Sequence, residues 1–400
     1  MNSIHAALEI GTTRTVLAIG EAQSGGRLKV TCHAEIPSTG IRKSQILSIP
    51  DATQSVRSVL REIERRQDAT GSKITIGNAV LAVSGQHILA THADGQAIVE
   101  GKKVGEGEMQ EVARRSREIP IPKGRELLDV VDQDYVLDNL GGITSPKGMS
   151  GKVLKLNALQ IHADANRIQD ARSAAEGAHL EIREPVFAAT CAADAVLEDH
   201  ERRNGALVLD LGGGSTGYAA YSDGHLLSTG VIGVGGDHVT NDIAHAFQTT
   251  NAQAERLKVD EASAILGQYA PETARVHVSG FSALMDSRTI SRRSLDTVVN
   301  ARFKELFTVI RETIEEQDLL HRLHSGVVLT GGGASMREIS ALAEQELGMS
   351  VRLGRPIHVD GLENEKEPWR FAAVAGALLY AHSNFEENSI LEGSFGRFFK

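Results

Sequence analysis

Two turns of this chain each combine an acidic residue, glycines and hydroxyl side chains. The first contains Glu9, Gly11, Thr12 and Thr13, and the second contains Asp210, Gly212, Gly213, Gly214, Ser215 and Thr216. Glycine lets the backbone approach a phosphate closely and adopt positive φ. Successive N–H groups in such a turn form an anion-binding concavity, to which the hydroxyls can add hydrogen bonds. Each turn therefore predicts a phosphate-binding hairpin.

The acid at the entrance of each turn needs a separate explanation, because a carboxylate does not attract phosphate. Glu9 and Asp210 are predicted to hold Mg²⁺, mostly through water molecules. The alternative is that they are ordinary carboxylates at strand ends. Two such hairpins facing each other would hold the phosphates of a nucleotide from both sides. Their recurrence roughly two hundred residues apart predicts a two-lobed nucleotide binder built by duplication.

A third glycine turn, Gly331, Gly332 and Gly333, lies between a predicted strand and a predicted helix. Close backbone approach to adenosine and phosphate, helped by the helix N-terminus, is expected there. A plain tight turn between the strand and the helix is the alternative. The three turns together are the candidate nucleotide-binding elements.

Composition limits the function classes. With 400 residues, 41% hydrophobic and 24% charged, the chain is long enough for two or more globular domains. A net charge of −10 argues against sequence-independent nucleic-acid binding. The two cysteines, Cys32 and Cys191, have no metal-ligand spacing and fit a reducing, cytoplasmic compartment. We expect no signal peptide and no membrane span, so any membrane contact is expected at the surface.

The elements that must position the turns follow one order in both halves: three short strands and then a helix. In the first half these are Ile4–Ile10, Thr15–Glu21, Leu28–His33 and a helix from Asp51, its expected N-cap, to Gln67. In the second half they are Ala206–Leu211, Gly217–Ser222, Leu226–Ile232 and the helix Asp237–Phe247. A later strand at Gly326–Thr330 and a helix at Ala334–Leu347 complete the pattern.

The spacing of the halves leaves two insertions. Residues 85–163 contain a helix, Gly107–Ile119, and strands near Leu127–Leu137 and Val153–His162, which predicts a small α+β subdomain. Residues 248–300 begin with a helical stretch, Ala252–Leu266, followed by a short strand, Arg275–Gly280. The predicted domains are 1–84 plus 164–203, the inserted 85–163, 204–247 plus 301–382 with the insertion 248–300, and a tail, 383–400.

The ordered motifs resemble those of known proteins. The two hairpins and Thr330–Ala334 resemble the phosphate and adenosine motifs of the superfamily of actin, DnaK-type chaperones and sugar kinases. The resemblance is closer to the FtsA family of bacterial cell division proteins and runs over nearly the whole chain. It is carried by Leu8–Thr12, Leu81–Ile88, Pro146–Gly151, Gly235–Ala244 and Ala254–Lys258.

The resemblance implies an actin-like (ribonuclease H-like) α/β fold of two lobes around a cleft that binds ATP or ADP with Mg²⁺. It adds Gly236, Glu255 and Lys258 to the nucleotide site, the last two on ribose and base. A surface salt pair is the alternative for those two. Glu184 corresponds to an acid that positions the attacking water; the alternative is an acid in the first turn of a helix, next to Pro185. The family often has an acid where this chain has Gly217, so at most a slow ATPase is expected.

The C-terminal tail has an apolar pattern with added positive charge. Leu391, Phe395, Phe398 and Phe399 recur at helical spacing, and Arg397 and Lys400 are basic. FtsA proteins end in a similar membrane-targeting helix, but here Gly393 and Gly396 disfavour a helix by up to ~1 kcal/mol each. Weak binding by one copy would be reinforced by polymerisation. A tail that packs on its own domain or lies disordered is the alternative.

The function implied by the resemblance is an ATP-binding, polymerising scaffold on the cytoplasmic face of the inner membrane at the division site. It would tether filaments of FtsZ through a region near 248–318 and recruit later division proteins. Two alternatives remain: a PilM-like adaptor of a pilus or secretion machine, and a sugar kinase or polyphosphate phosphatase of the same superfamily.

Overall fold

The first lobe begins with a three-stranded antiparallel meander. The computed structural model describes residues 3–23, 26–71, 74–101, 103–267, 274–278 and 287–391. Its first elements are β1 (Ile4–Ile10), β2 (Arg14–Ala22), β3 (Leu28–Pro37), the short hairpin β4 (Ile41–Arg42) and β5 (Gln45–Ile46), helix α1 (Ile49–Thr70) and β6 (Asn78–Val83). Ser48 caps α1 by accepting a hydrogen bond from Asp51 N at 3.4 Å, so the prediction of Asp51 as the cap is wrong.

An α+β unit follows β6. It contains β7 (Leu89–His92), β8 (Gly95–Ile98), α2 (Glu106–Arg117), β9 (Arg125–Leu137), β10 (Leu140–Ile143) and β11 (Val153–Asp164). The sheet order is β10-β9-β11-β7, with β8 also paired to β11. Met109 and Val112 of α2 pack on Leu137, Leu154 and Leu156 of this sheet, which gives the unit a core of its own.

The chain then returns to the first sheet. Helix α3 (Ala165–Glu176) leads into β12 (Glu181–Phe187), which is followed by α4 (Ala188–Val196) and α5 (Asp199–Asn204). Strand β12 pairs in parallel with β6, so the sheet reads β12-β6-β1-β2-β3. Glu184 and Pro185 lie inside β12, and the interpretation that they open a helix is wrong because α4 begins only at Ala188.

The second lobe repeats the meander and adds parallel strands. Its elements are β13 (Ala206–Leu211), β14 (Thr216–Ser222), β15 (His225–Ile232), α6 (Gly236–Ala246), α7 (Asn251–Arg256), β16 (Arg275–Val278), β17 (Arg288–Ser291), α8 (Arg292–Glu316), β18 (Val327–Thr330), α9 (Ile339–Leu347) and β19 (Val351–Leu353). The sheet order is β15-β14-β13-β18-β19.

Two predicted helices of this lobe are each divided. The helical stretch expected over Ala252–Leu266 is α7 followed by a π-helical turn, Leu257–Glu261. The helix expected from Ala334 begins at Ile339, after a 3₁₀ turn at Gly332–Ser335. Each irregular turn contains a residue of the predicted nucleotide site, Lys258 in the first and Gly332 in the second. π-Helical turns are frequent at functional sites, and 3₁₀ turns are frequent at helix ends.

The last elements cross back to the first lobe. Strand β20 (Val359–Asp360) pairs with β3, and α10 (Ala372–Leu391) packs on α4 and the first sheet. Ala375 and Leu378 of α10 are fully buried in the first-lobe core. The assignment of all of 301–382 to the second lobe is therefore wrong for α10. A Cβ atom on Gly376 would lie 1.7 Å from Cys191 O, so the backbones of α10 and α4 are in direct contact.

Candidate functional site

The two glycine turns have the same local geometry. Gly11 N donates to Arg14 O at 3.0 Å in the β1–β2 turn, and Gly212 N donates to Ser215 O at 3.0 Å in the β13–β14 turn. A Cβ atom on either glycine would lie 2.8 Å from the carbonyl oxygen that the glycine binds. A side chain at this position would therefore clash with the turn, and glycine is required in both lobes.

The two turns face each other across a cavity of about 440 Å³. A Cβ atom on Gly213 would lie 2.6 Å from Thr13 Cγ2, so the turns nearly touch. The predicted site residues that line this cavity are Glu9, Gly11, Thr12, Thr13, Asp210, Gly212, Gly213, Gly214, Ser215, Gly236, Glu255, Lys258, Gly331, Gly332 and Gly333. The volume falls in the range of small-molecule and cofactor sites.

Two predicted residues do not line the cavity among the described residues. Thr216 is fully buried, and its hydroxyl donates to Val234 O at 2.8 Å, because it begins β14 and faces the interior. Glu184 is exposed and accepts a hydrogen bond from the Tyr380 hydroxyl at 2.7 Å. The prediction that Thr216 binds phosphate and the prediction that Glu184 positions water are therefore both wrong.

Glu9 and Asp210, the acids at the entrance of the two turns, both have raised pKa values. Burial raises the pKa of Glu9 to about 7, with the nearby Asp210 and Glu35 adding to the shift and Arg14 opposing it. Burial also raises the pKa of Asp210, against the effect of Arg14 and of the Thr330 hydroxyl. A cation bound by the two carboxylates would lower the pKa values of both, because it favours their charged forms.

The donor set fits Mg²⁺ better than a cation enclosed by protein ligands. Across the described ranges, no three acidic, histidine or cysteine side chains come together as a metal site. Mg²⁺ is commonly held by one or two carboxylates, with water and substrate phosphates completing its coordination. Glu9 and Asp210 are the residues that would hold it, and the bound ion would neutralise phosphate charge.

Arg14 is a cavity residue that sequence reasoning missed. Its guanidinium donates to Glu35 Oε2 at 2.5 Å and to the Arg370 carbonyl, and Arg370 Nη2 donates to the other Glu35 oxygen at 2.8 Å. Arg370 also pairs with Glu367 at 3.0 Å. Because these residues come from distant parts of the chain, no local pattern could have identified the network.

Lys258 lies in a second polar cluster of the cavity. Its side chain donates to Glu255 Oε2 at 2.7 Å, to the Thr240 hydroxyl at 2.8 Å and to Gly236 O at 3.1 Å. The Lys258 side chain is only 11% exposed, whereas the Glu255 side chain is 42% exposed. The pair is therefore not a surface salt pair: the π-helical turn carries the ammonium group inward, onto the N-terminal end of α6.

The third glycine turn packs directly against the second hairpin. Gly331 has φ 79°, and a Cβ atom on it would lie 2.5 Å from Asp210 Oδ1. Its N–H donates to Trp369 O at 3.1 Å, while Trp369 Nε1 donates to the Ser335 hydroxyl at 3.0 Å. Glycine is thus needed both for the left-handed backbone and for the space beside Asp210.

Gly217 also lines the cavity, at the position where the resemblance leads one to expect an acid. A Cβ atom there would lie 2.8 Å from the Ala189 Cβ atom. The helix α4 therefore leaves no room for a larger side chain. An acid in place of Gly217 would require β14 and α4 to move apart.

Comparison with known proteins identifies similar sequences. The family model for cell division protein FtsA matches residues 207–376, and that for the SHS2 domain inserted in FtsA matches residues 85–162. Cell division protein FtsA of Pseudomonas aeruginosa is 31% identical over 93% of this chain and 88% of the relative. The FtsA protein of Escherichia coli K12 is 28% identical over 95% of this chain and 91% of the relative.

Solved structures share the fold. A PilM–PilN type IV pilus biogenesis complex matches with a TM-score of 0.65 at 19% identity, covering 94% of this chain and 98% of the matched chain. MreB5 of Spiroplasma citri bound to ADP matches with a TM-score of 0.53 at 13% identity, covering 97% of this chain and 98% of the matched chain. These likenesses confirm the predicted actin-like α/β fold. Among the described residues, no helix has the length and apolarity to cross a membrane.

Proposed function

This chain belongs to the FtsA family of cell division proteins, and from that premise we propose that it is an ATP-binding scaffold that tethers FtsZ filaments to the membrane. The observation that carries the nucleotide part is one cavity lined by two matched glycine hairpins, a third glycine turn and the buried Lys258. The hairpins would bind the phosphates through N–H groups and hydroxyls, and Glu9 and Asp210 would hold Mg²⁺.

The cleft is suited to holding a nucleotide rather than to turning it over rapidly. Glu184 lies outside the cavity, and Gly217 offers no side chain to activate water. A bound nucleotide would instead set the angle between the lobes and so select the polymer-competent conformation, since it contacts both lobes in one closed arrangement. Any ATP hydrolysis is expected to be slow.

Replacing Lys258 with methionine tests the nucleotide assignment. The variant keeps the length of the side chain but leaves Glu255 and the Gly236 carbonyl without their ammonium donor. We expect the Kd for ATP to rise about 10-fold, because hydrogen bonds to charged groups contribute about 1.5–3 kcal/mol. Isothermal titration calorimetry measures the change.

The matched control is Lys304→Met on α8, whose ammonium group pairs with Glu346 at 3.1 Å on the surface. That variant should bind ATP like the parent chain. Equal affinity of the Lys258→Met variant and the parent would contradict the placement of the nucleotide in this cavity.

Membrane attachment is assigned to the C-terminal tail. Phe395, Arg397, Phe398, Phe399 and Lys400 lie outside the described residues, and Leu391 is the last residue of α10. The proposal rests on the apolar and basic composition of this tail, which suits an interfacial anchor. Polymerisation would multiply a weak single-copy contact. FtsZ is proposed to bind near 248–318, and later division proteins to be recruited to the assembled scaffold.

Vesicle flotation with fluorescent FtsZ filaments and ATP tests the tether. We compare the full chain with a chain ending at Asn388 and with a full-length Phe398→Ala, Phe399→Ala variant. FtsZ should float with the full chain, should not float with the truncated chain, and should float several-fold less with the double variant, because about half of the apolar anchor is lost.

Other outcomes favour the alternatives. Flotation of FtsZ by the truncated chain would remove the tail from the proposal. If the full chain floated but left the FtsZ filaments behind, an adaptor for another machine would be favoured. The pilus complex shares the fold with this chain, and that likeness shows the fold alone. Transfer of phosphate from ATP to any of a set of sugars would favour the sugar kinase alternative.

A further inference from the structure

The hairpin formed by β4 and β5 carries two consecutive non-glycine residues in the left-handed region. Arg42 pairs with Gln45, so the turn consists of Lys43 and Ser44, at φ 50° and 57°. Two-residue hairpins of this type require positive φ at both positions and favour Asn-Gly. A serine at the second position is therefore unfavourable for the isolated hairpin and needs an explanation in the surrounding structure.

Ser44 links the two phosphate-binding turns. Its N–H donates to the Thr12 hydroxyl at 2.9 Å, and its own hydroxyl lies 3.0 Å from the Ser215 hydroxyl. The Thr12 and Ser44 hydroxyl oxygens are 3.5 Å apart. Three hydroxyl groups from three separate segments thus converge on one end of the cavity, which all three residues line.

These hydroxyl groups and the Lys258 cluster contact different residues of the second glycine turn. Along the second turn, Gly236 N donates to Gly212 O at 3.0 Å, and a Cβ atom on Gly236 would lie 3.4 Å from Lys258 Nζ. A Cβ atom on Gly214 would lie 2.5 Å from Ser44 N. The turn therefore runs from the Lys258 cluster to Ser44. A nucleotide with its ribose near Lys258 and its phosphates along this turn reaches Ser44 with the last phosphate.

We propose that Ser44 is a specificity-determining residue for the terminal phosphate of a nucleoside triphosphate. Its hydroxyl, together with those of Thr12 and Ser215, donates to the third phosphate and contributes little to the binding of a diphosphate. This inference rests on the proposed nucleotide function and adds to it the group that distinguishes the two nucleotide states.

The test compares the Kd values of AMPPNP, a triphosphate analogue, and ADP for the full chain and three variants. Ser44→Ala removes the hydroxyl and keeps the Cβ atom, and Ser44→Gly removes the hydroxyl and the left-handed strain. Both should raise the Kd of AMPPNP about 10-fold and that of ADP less than about twofold, since a hydrogen bond to a charged phosphate is lost.

Lys43→Gly is the matched control, because it relieves the same backbone strain one residue earlier and leaves the hydroxyl in place. Its ratio of AMPPNP to ADP affinity should equal that of the parent chain. If Ser44 served only to hold the lobes together, Ser44→Ala would weaken both nucleotides equally or neither, and the inference would be overturned. A parent chain that binds neither nucleotide would instead refute the proposed function itself.

Discussion

Replacing Gly376 with alanine is expected to lower the free energy of unfolding by at least about 3 kcal/mol. The new Cβ atom would lie 1.7 Å from Cys191 O, so α10 and α4 must move apart by more than an ångström. The atom in the way belongs to the backbone of a buried helix and cannot rotate aside. Overpacking in cores typically costs about 1–3 kcal/mol, and a backbone clash falls at the upper end or beyond.

Urea denaturation followed by circular dichroism measures this loss. The matched control is Gly107→Ala, a helix glycine with open space around its would-be Cβ atom. That substitution should stabilise the chain by roughly 0.5–1 kcal/mol, because alanine is the better helix former. Similar stability of the two variants would show that α10 does not pack against α4 in the way described.

Replacing Glu9 with glutamine is expected to raise the free energy of unfolding at pH 8 by about 3 kcal/mol and to weaken the effect of Mg²⁺ on nucleotide binding. The folded-state pKa of Glu9, about 7, lies above its ordinary value of 4.5. Between these values the folded chain keeps a proton that the unfolded chain releases. Stability is therefore lost as the pH rises from about 4.5 to 7, and the neutral glutamine avoids that loss.

Unfolding at a series of pH values, with and without Mg²⁺ and ATP, measures both effects. The control is Glu363→Gln, an exposed residue whose pKa is lowered by the hydrogen bonds that Gly361 N donates to it. It should show no gain at pH 8 and an unchanged response to Mg²⁺. If Glu9→Gln did not raise the free energy of unfolding at pH 8, the ionised Glu9 carboxylate would not destabilise the fold. The argument that Glu9 needs a bound cation would then fail.

Local patterns were sufficient for the turns and strands, because the determinants of those elements lie within a few residues of each other. The glycine and hydroxyl spacing around Gly11 and Gly212 predicted two turns that prove to share one geometry. The cap of α1 was misplaced by three residues, from Ser48 to Asp51, because both types make good caps and only the backbone decides between them.

Contacts between distant segments could not be predicted in the same way. The apolar residues of α10 show that the helix is buried but do not indicate which lobe buries it. Thr216 and Ser215 are adjacent and chemically alike, yet the register of β14 turns one inward and leaves the other in the cavity. The links from Ser44 to Thr12 and from Arg14 to Glu35 and Arg370 depend on three segments meeting at one place.

The packing of α10 on the first lobe determines which lobe would move relative to the proposed membrane anchor. The chain passes between the lobes twice, after α4 and again between β19 and β20. Two connecting segments therefore join the lobes. Because α10 is anchored in the first lobe, a membrane anchor in the residues that follow it would be joined to that lobe. Closure on a nucleotide would then move the second lobe, with the region proposed to bind FtsZ, relative to a first lobe held by the proposed membrane anchor. Nucleotide exchange in such an arrangement would reposition the filament and leave the anchor where it is.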